Sequence, residues 1–141
     1  MLIYNSDSVK VKYDEVQDVL FLNCLKSFSP EEFKSGMERA LQHAYKHTIK
    51  RWILNVNNIG VLNEEAEKWL QLNLFPKIMS RLGADNFMAV VLSEHRYKAL
   101  LSEAGLIGLK SYNSFIRLNT FCKEDDALLW LGTEPVSCLS A

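Results

Sequence analysis

The side chains best suited to chemistry form one polar group: Asn57, Asn58, Asn63, Glu64, Glu65, Ser93, Glu94 and His95. Carboxylates and an imidazole can pass a proton, so a hydrolase-type reaction using Glu64 or Glu65 with His95 is conceivable. Each residue also has a plainer use. Asn63 and Ser93 suit helix N-caps, the glutamates suit first helical turns, and Asn57-Asn58 suits a turn. No G-x-S-x-G elbow is present. His43 and His47 have the i, i+4 spacing of two zinc ligands, but no third ligand is evident and a helix C-terminus already welcomes them. Cys24, Cys122 and Cys138 form no C-x-x-C pair and read as small buried hydrophobes. Neither phosphate-binding glycine pattern occurs. No metal or cofactor is expected, and the plainer uses leave no residue committed to catalysis.

Composition narrows the class further. The 141 residues suit one domain, and 48% hydrophobic with 23% charged residues is ordinary globular composition. Sixteen basic against seventeen acidic residues give a net charge of -1, which excludes a strong general attraction to nucleic acid or an anionic membrane surface. The short basic stretch 46–51 is a solvated helix end. The longest apolar runs, residues 19–22 and 87–92, are far below the roughly 20 residues of a membrane span. The start of the chain has neither a basic nor a long apolar stretch of the signal-peptide kind, and the odd cysteine count opposes a disulfide framework. A reduced, cytoplasmic protein is the expectation.

These candidates need elements to position them. Val9, Val11 and Tyr13 alternate with Lys10 and Lys12, predicting a strand, and residues 19–22 predict a second that closes a hairpin. Ser29-Pro30-Glu31-Glu32 opens a helix, with Ser29 as cap and Glu32 completing a capping box. Its stripe is Phe33, Met37, Ala40 and Ala44, and it ends near 47–50. Residues 52–56 form a strand, and 59–62 a loop or strand end. Asn63 caps a long helix toward Leu82, with Pro76 kinking or breaking it and Gly83 as its C′ residue. Residues 87–92 form a strand covered on both faces. Ser93 caps a helix to Ala104 that Gly105 stops, and residues 114–119 form the last strand. Glu124-Asp125-Asp126 opens a final helix that Gly132 ends. The order is ββαβαβαβα: an α/β fold with a mixed, mostly parallel sheet flanked by helices. One domain spans 1–132, with a loosely attached tail at 133–141.

The long helix carries two apolar stripes. One is Trp69, Leu72, Phe75, Met79 and Leu82; the other is Ala66, Leu70, Leu74 and Ile78. One must cover the sheet and the second needs another cover. A neighbouring helix or a change of direction at Pro76 meets that need within the domain. Otherwise Leu70 and Leu74 lie at a contact with a second copy or a protein partner, or wall an apolar pocket.

Four pieces in this order carry a family likeness: Tyr13-Asp14-Glu15 with residues 19–22; Ser29-Pro30-Glu31-Glu32-Phe33; Trp69, Phe75-Pro76, Gly83 and Ala89-Val90-Val91; and Phe121, Glu124, Ala127 and Trp130-Leu131. Together they resemble the STAS/SpoIIAA-like group, the anti-sigma-factor-antagonist fold. The nearer likeness is to stand-alone bacterial SpoIIAA-like proteins, related in fold to CRAL-TRIO lipid-binding domains. The resemblance implies a non-enzymatic regulatory module that acts by protein interaction, as a homodimer or with another partner. The CRAL-TRIO relation implies an alternative, carriage of a small apolar or lipid-like ligand. The antagonists' Asp-Ser-Ser-Gly turn, whose serine is phosphorylated, corresponds here to Asn63-Glu64-Glu65-Ala66. Glu64 falls at the phospho-acceptor, so that switch is not carried over. Glu64 either mimics a permanently charged state or only favours the helix start. The expected binding residues are Asn63, Glu64, Glu65, Leu70, Leu74 and His95.

Overall fold

Alternate residues of the central strands are apolar on both sides, so the sheet they form needs cover on two faces. The computed structural model describes residues 1–26, 29–59, 62–105, 110–112 and 115–133. Its strands are β1 (Leu2–Asn5), β2 (Val9–Asp14), β3 (Val19–Cys24), β4 (Arg51–Asn55), β5 (Asn86–Val91), β6 (Lys110–Tyr112) and β7 (Ile116–Phe121). Its helices are α1 (Pro30–His47), α2 (Glu64–Trp69), a π-helical segment (Leu70–Leu74), α3 (Phe75–Leu82), α4 (Glu94–Ala104) and α5 (Glu124–Thr133). The strands form one sheet in the order β1-β2-β3-β4-β5-β7-β6. The four middle strands, β3 to β7, run parallel, and the outer pairs are antiparallel.

One face carries Leu20, Leu22, Trp52, Leu54 and Met88, buried with the stripe of α1 and with α2 and α3. The other carries Val19, Phe21, Ile53, Phe87, Ala89 and Val91, and α5 covers it with Ala127 and Leu131. Trp130 of α5 adds ring contacts to Phe87 and Phe121, at 6.1 and 5.8 Å. The Arg51 Nε donates to the Leu131 carbonyl at 3.0 Å, fixing the end of α5 to β4.

The expected α/β order holds, with two additions and several moved ends. β1 and β6 were not expected: each is a short edge strand, too brief to show a period. The last strand begins two residues later than the alternation at 114–119 suggests. The final helix runs through Gly132 to Thr133, whose Oγ1 donates to the Trp130 carbonyl at 2.8 Å. The boundary at 132 therefore falls inside α5, and residues 134–141 of the expected tail, Cys138 among them, lie outside the described residues. Gly60, Val61, the 106–109 stretch and Ser114 lie outside them too.

The capping box does not close as expected. The Glu32 amide donates to Ser29 Oγ at 3.3 Å, but the Glu32 carboxylate turns to the β1–β2 turn. There it accepts from Ser6 Oγ at 3.0 Å and from the Ser8 hydroxyl. The missing premise is β1, which brings the two serines alongside the start of α1. α1 itself ends at Thr48 in the left-handed region, φ 53°, with the Thr48 amide donating to the Ala44 carbonyl.

The two stripes of the long helix resolve within the domain. Ala66, Leu70, Leu74, Ile78 and Leu82 are all buried, at strict steps of four. In a pure α-helix each such step overshoots a full turn by about 40°. The π segment contains more residues per turn, so the overshoot shrinks and the stripe stays on the sheet. It ends where Pro76 lacks the N–H that an α-helix would use. Of the other stripe, Trp69, Phe75 and Met79 are half-buried and pack on the same core, and only Leu72 stands out, 72% exposed.

Candidate functional site

The parallel strands β4, β5 and β7 end at one rim of the sheet, where ligands of open α/β sheets tend to sit. β4 passes into a tight turn. The Val56 amide donates to the Val91 carbonyl at 2.9 Å, the Asn57 amide to Asn55 Oδ1 at 3.0 Å, and the Ile59 amide to the Val56 carbonyl at 3.1 Å. Asn63 then caps α2, its Oδ1 accepting from the Ala66 amide at 2.8 Å. Ser93 caps α4 in the same way, its Oγ accepting from the Arg96 amide at 3.2 Å. Both caps stand as the sequence predicts.

Glu64 and Glu65 are exposed in the first turn of α2, and His95 is exposed in the first turn of α4. Glu94, beside His95, pairs with Lys98 at 3.0 Å. The Lys98 ammonium, first by hydrogen bond and then by charge, holds its carboxyl below the usual range. Neither of the two cavities described below is lined by two of Glu64, Glu65 and His95. Glu65 borders a shallow recess with Pro30, Phe33 and Trp69, and the larger cavity takes none of the three.

Leu70 and Leu74 correct the sequence reading more directly. They are 4% and 0% exposed, inside this chain's own core. Neither presents a surface to a second copy or to another protein, because the π segment turns their stripe onto the sheet. Leu70 also walls a cavity, the third of the alternatives for this helix.

His43 and His47 lie with ring centroids 4.4 Å apart, and the Tyr13 ring stands 5.5 Å from that of His43. The Tyr13 hydroxyl donates to Asp18 Oδ1 at 2.5 Å, and burial with that bond pushes its pKa up to about 12. Burial first, and the neighbouring His47 second, hold the His43 imidazole below its ordinary value. Among the described residues no three His, Cys, Asp or Glu side chains are grouped to hold a metal ion. Cys24 is buried, which pushes its thiol up to about 12 and away from nucleophilic use.

The apolar pocket that was one alternative for the long helix is present as a cavity of about 430 Å³, and what sequence reasoning missed is that α4 forms its other wall. Its floor is the rim end of the sheet: Leu54, Val56, Met88, Val90 and Leu118, with Thr120. The π segment and its neighbours form one wall through Leu62, Leu70, Gln71 and Phe75. α4 forms the other, yet contributes no fully buried residue. Its inward stripe of Arg96, Ala99, Leu100 and Glu103 is too small and too polar to fill the space below it. The signal for it was the weak apolar content of 94–104. No helix of the described residues is long and apolar enough to cross a membrane.

No family model and no curated protein matches the chain. Among solved structures it is similar to that of a Thermotoga maritima protein described as a candidate anti-sigma factor antagonist. The TM-score is 0.56 and the identity 14%, over 86% of this chain and 92% of that one. The fold is therefore α/β of the STAS/SpoIIAA-like type, as the local motifs imply.

Proposed function

We propose that the chain is a non-enzymatic regulatory module that works by protein interaction, as its structural neighbour's description suggests for that protein. The observation that carries this reading is the fit of that fold over 86% of the chain; the capped, acidic start of α2 is, by the resemblance, the counterpart of the antagonists' switch turn. Asn63, Glu64, Glu65 and His95 stand exposed on the rim and are the residues proposed to meet the partner. With Glu64 in place of a phospho-acceptor, the charge there is constant and the contact is not switched by a kinase. The homodimer expectation keeps no seam at Leu70 and Leu74, and a different protein is the proposed partner.

A photo-crosslinking residue at position 64, expressed in the native host, tests this. It should capture a protein that the same probe at Leu129, on the α5 face, does not, and Glu65→Lys should weaken the capture about tenfold. Equal capture at both positions, or none at 64 and 95, removes the reading.

The cavity favours a second reading, carriage of a small apolar ligand. Its volume lies within the roughly 300–1,000 Å³ range of small-molecule sites.

A further inference from the structure

Apart from Thr120 in the floor, the cavity's polar groups sit at its edges and its apolar groups at its base. Arg96 and Glu103 are seven residues apart on α4, about 10 Å along the axis, and so bracket the small Ala99 between them. Glu67 faces them from the end of α2, with Gln71 one turn on. All four side chains belong to exposed residues, so they border the mouth, while Val56 and Met88 at the base are buried.

The border thus carries two carboxylates against one guanidinium. A ligand ending in a carboxylate or phosphate would gain one exposed ion pair, a contact worth about 0–1 kcal/mol, and would meet two like charges. A hydroxyl suits the same border better. It donates to Glu67 or Glu103 and accepts from Arg96 or Gln71, so each of its bonds has a partner. We infer that the cavity selects an uncharged apolar molecule bearing a hydroxyl over a fatty-acid-like anion of the same length. This rests on the carrier reading and adds the chemistry of the cargo.

The test uses the full chain with 1-dodecanol and dodecanoate as matched probes near pH 7.5, followed by backbone amide shifts. Dodecanol should bind about tenfold tighter than dodecanoate, moving the amides of Ala99 and Leu100. Ala99→Phe, which fills the space, should weaken dodecanol about tenfold while the circular dichroism spectrum and melting temperature hold. The double variant Glu67→Gln/Glu103→Gln, which removes both like charges, should raise dodecanoate affinity about tenfold and so erase the preference for dodecanol. Dodecanoate binding as tightly as dodecanol would overturn the cargo chemistry and leave carriage standing. If neither probe binds, or if Ala99→Phe changes nothing, carriage through this cavity falls with it.

Discussion

The Phe75 amide donates to the Leu70 carbonyl five residues back, where an α-helix would use the residue four back. This bond marks the extra residue in the turn before Pro76. It decides which of two apolar stripes the sheet receives, and so whether Leu70 and Leu74 are core or surface. Without it, steps of four from Ala66 would drift around the helix before reaching Leu82.

The burial that results sets a contrast within one turn. Leu74 is fully buried and Leu72 is 72% exposed. Leu74→Ala should cost about 2–5 kcal/mol and Leu72→Ala less than about 0.5. Urea unfolding monitored by tryptophan fluorescence reads both. Equal costs would mean that the helix is phased differently.

Gly36 lies in the middle of α1, where glycine costs about 1 kcal/mol relative to alanine. The position tolerates nothing larger. A Cβ there would lie 2.9 Å from Val9 Cγ1 and 3.3 Å from Tyr4 Cδ2. Gly36→Ala should therefore destabilise by about 1–2 kcal/mol despite its helix preference, because α1 must lift from β1 and β2. Thermal melting of the variant checks this, and a raised melting temperature would contradict the close approach.

The hydroxyls of Ser8 and Ser6, the largest causes in that order, hold the Glu32 carboxyl below its ordinary value of 4.5. A depressed folded-state pKa means that the unfolded chain takes the proton first. The stabilisation is thus complete above about 4.5 and is lost as pH falls toward the folded-state value. Wild type and Glu32→Gln should differ in urea midpoint at pH 6 and converge near pH 3. A constant difference across that span would show that the carboxylate's charge plays no part.

His43 works at a higher pH with the same sign. Its folded-state value lies below 6.5, mainly through burial, so the neutral imidazole belongs to the folded protein. Stability should be full above about 6.5 and fall as the pH drops toward that lower value. Replacing the ring by His43→Phe keeps the contact with Tyr13 and should flatten the decline between pH 7 and pH 5. Proton NMR of the His43 ring gives the midpoint directly, and one at or above 6.5 would refute the assignment.

What the sequence made legible was local. Asn63, Ser93 and Ser29 cap helices because a short polar side chain next to an amphipathic run needs only its own neighbours to act. The central strands were legible because four-to-six-residue apolar runs fit little else between helices. What it hid depended on contacts between distant segments. Glu32 looked like half of a capping box until β1 placed Ser6 and Ser8 beside it. The phase of the 64–82 helix followed from a π turn that no spacing rule encodes. The part α4 plays in the cavity depends on how loosely that helix, with no fully buried residue, packs over the sheet, a property of the gap between elements. At the rim, residue types identified the caps Asn63 and Ser93, while the distances between Glu64, Glu65 and His95 that proton transfer would require are not encoded in their spacing.

Among the described residues, α5 is the only helix on the Val19–Phe21–Ile53–Phe87 side of the sheet. It is also the last of the described elements to be synthesised. At about 5–20 residues per second, the ribosome exposes this greasy surface before residues 124–133 have emerged to shield it. During translation this face is therefore the later of the two to gain its helical cover.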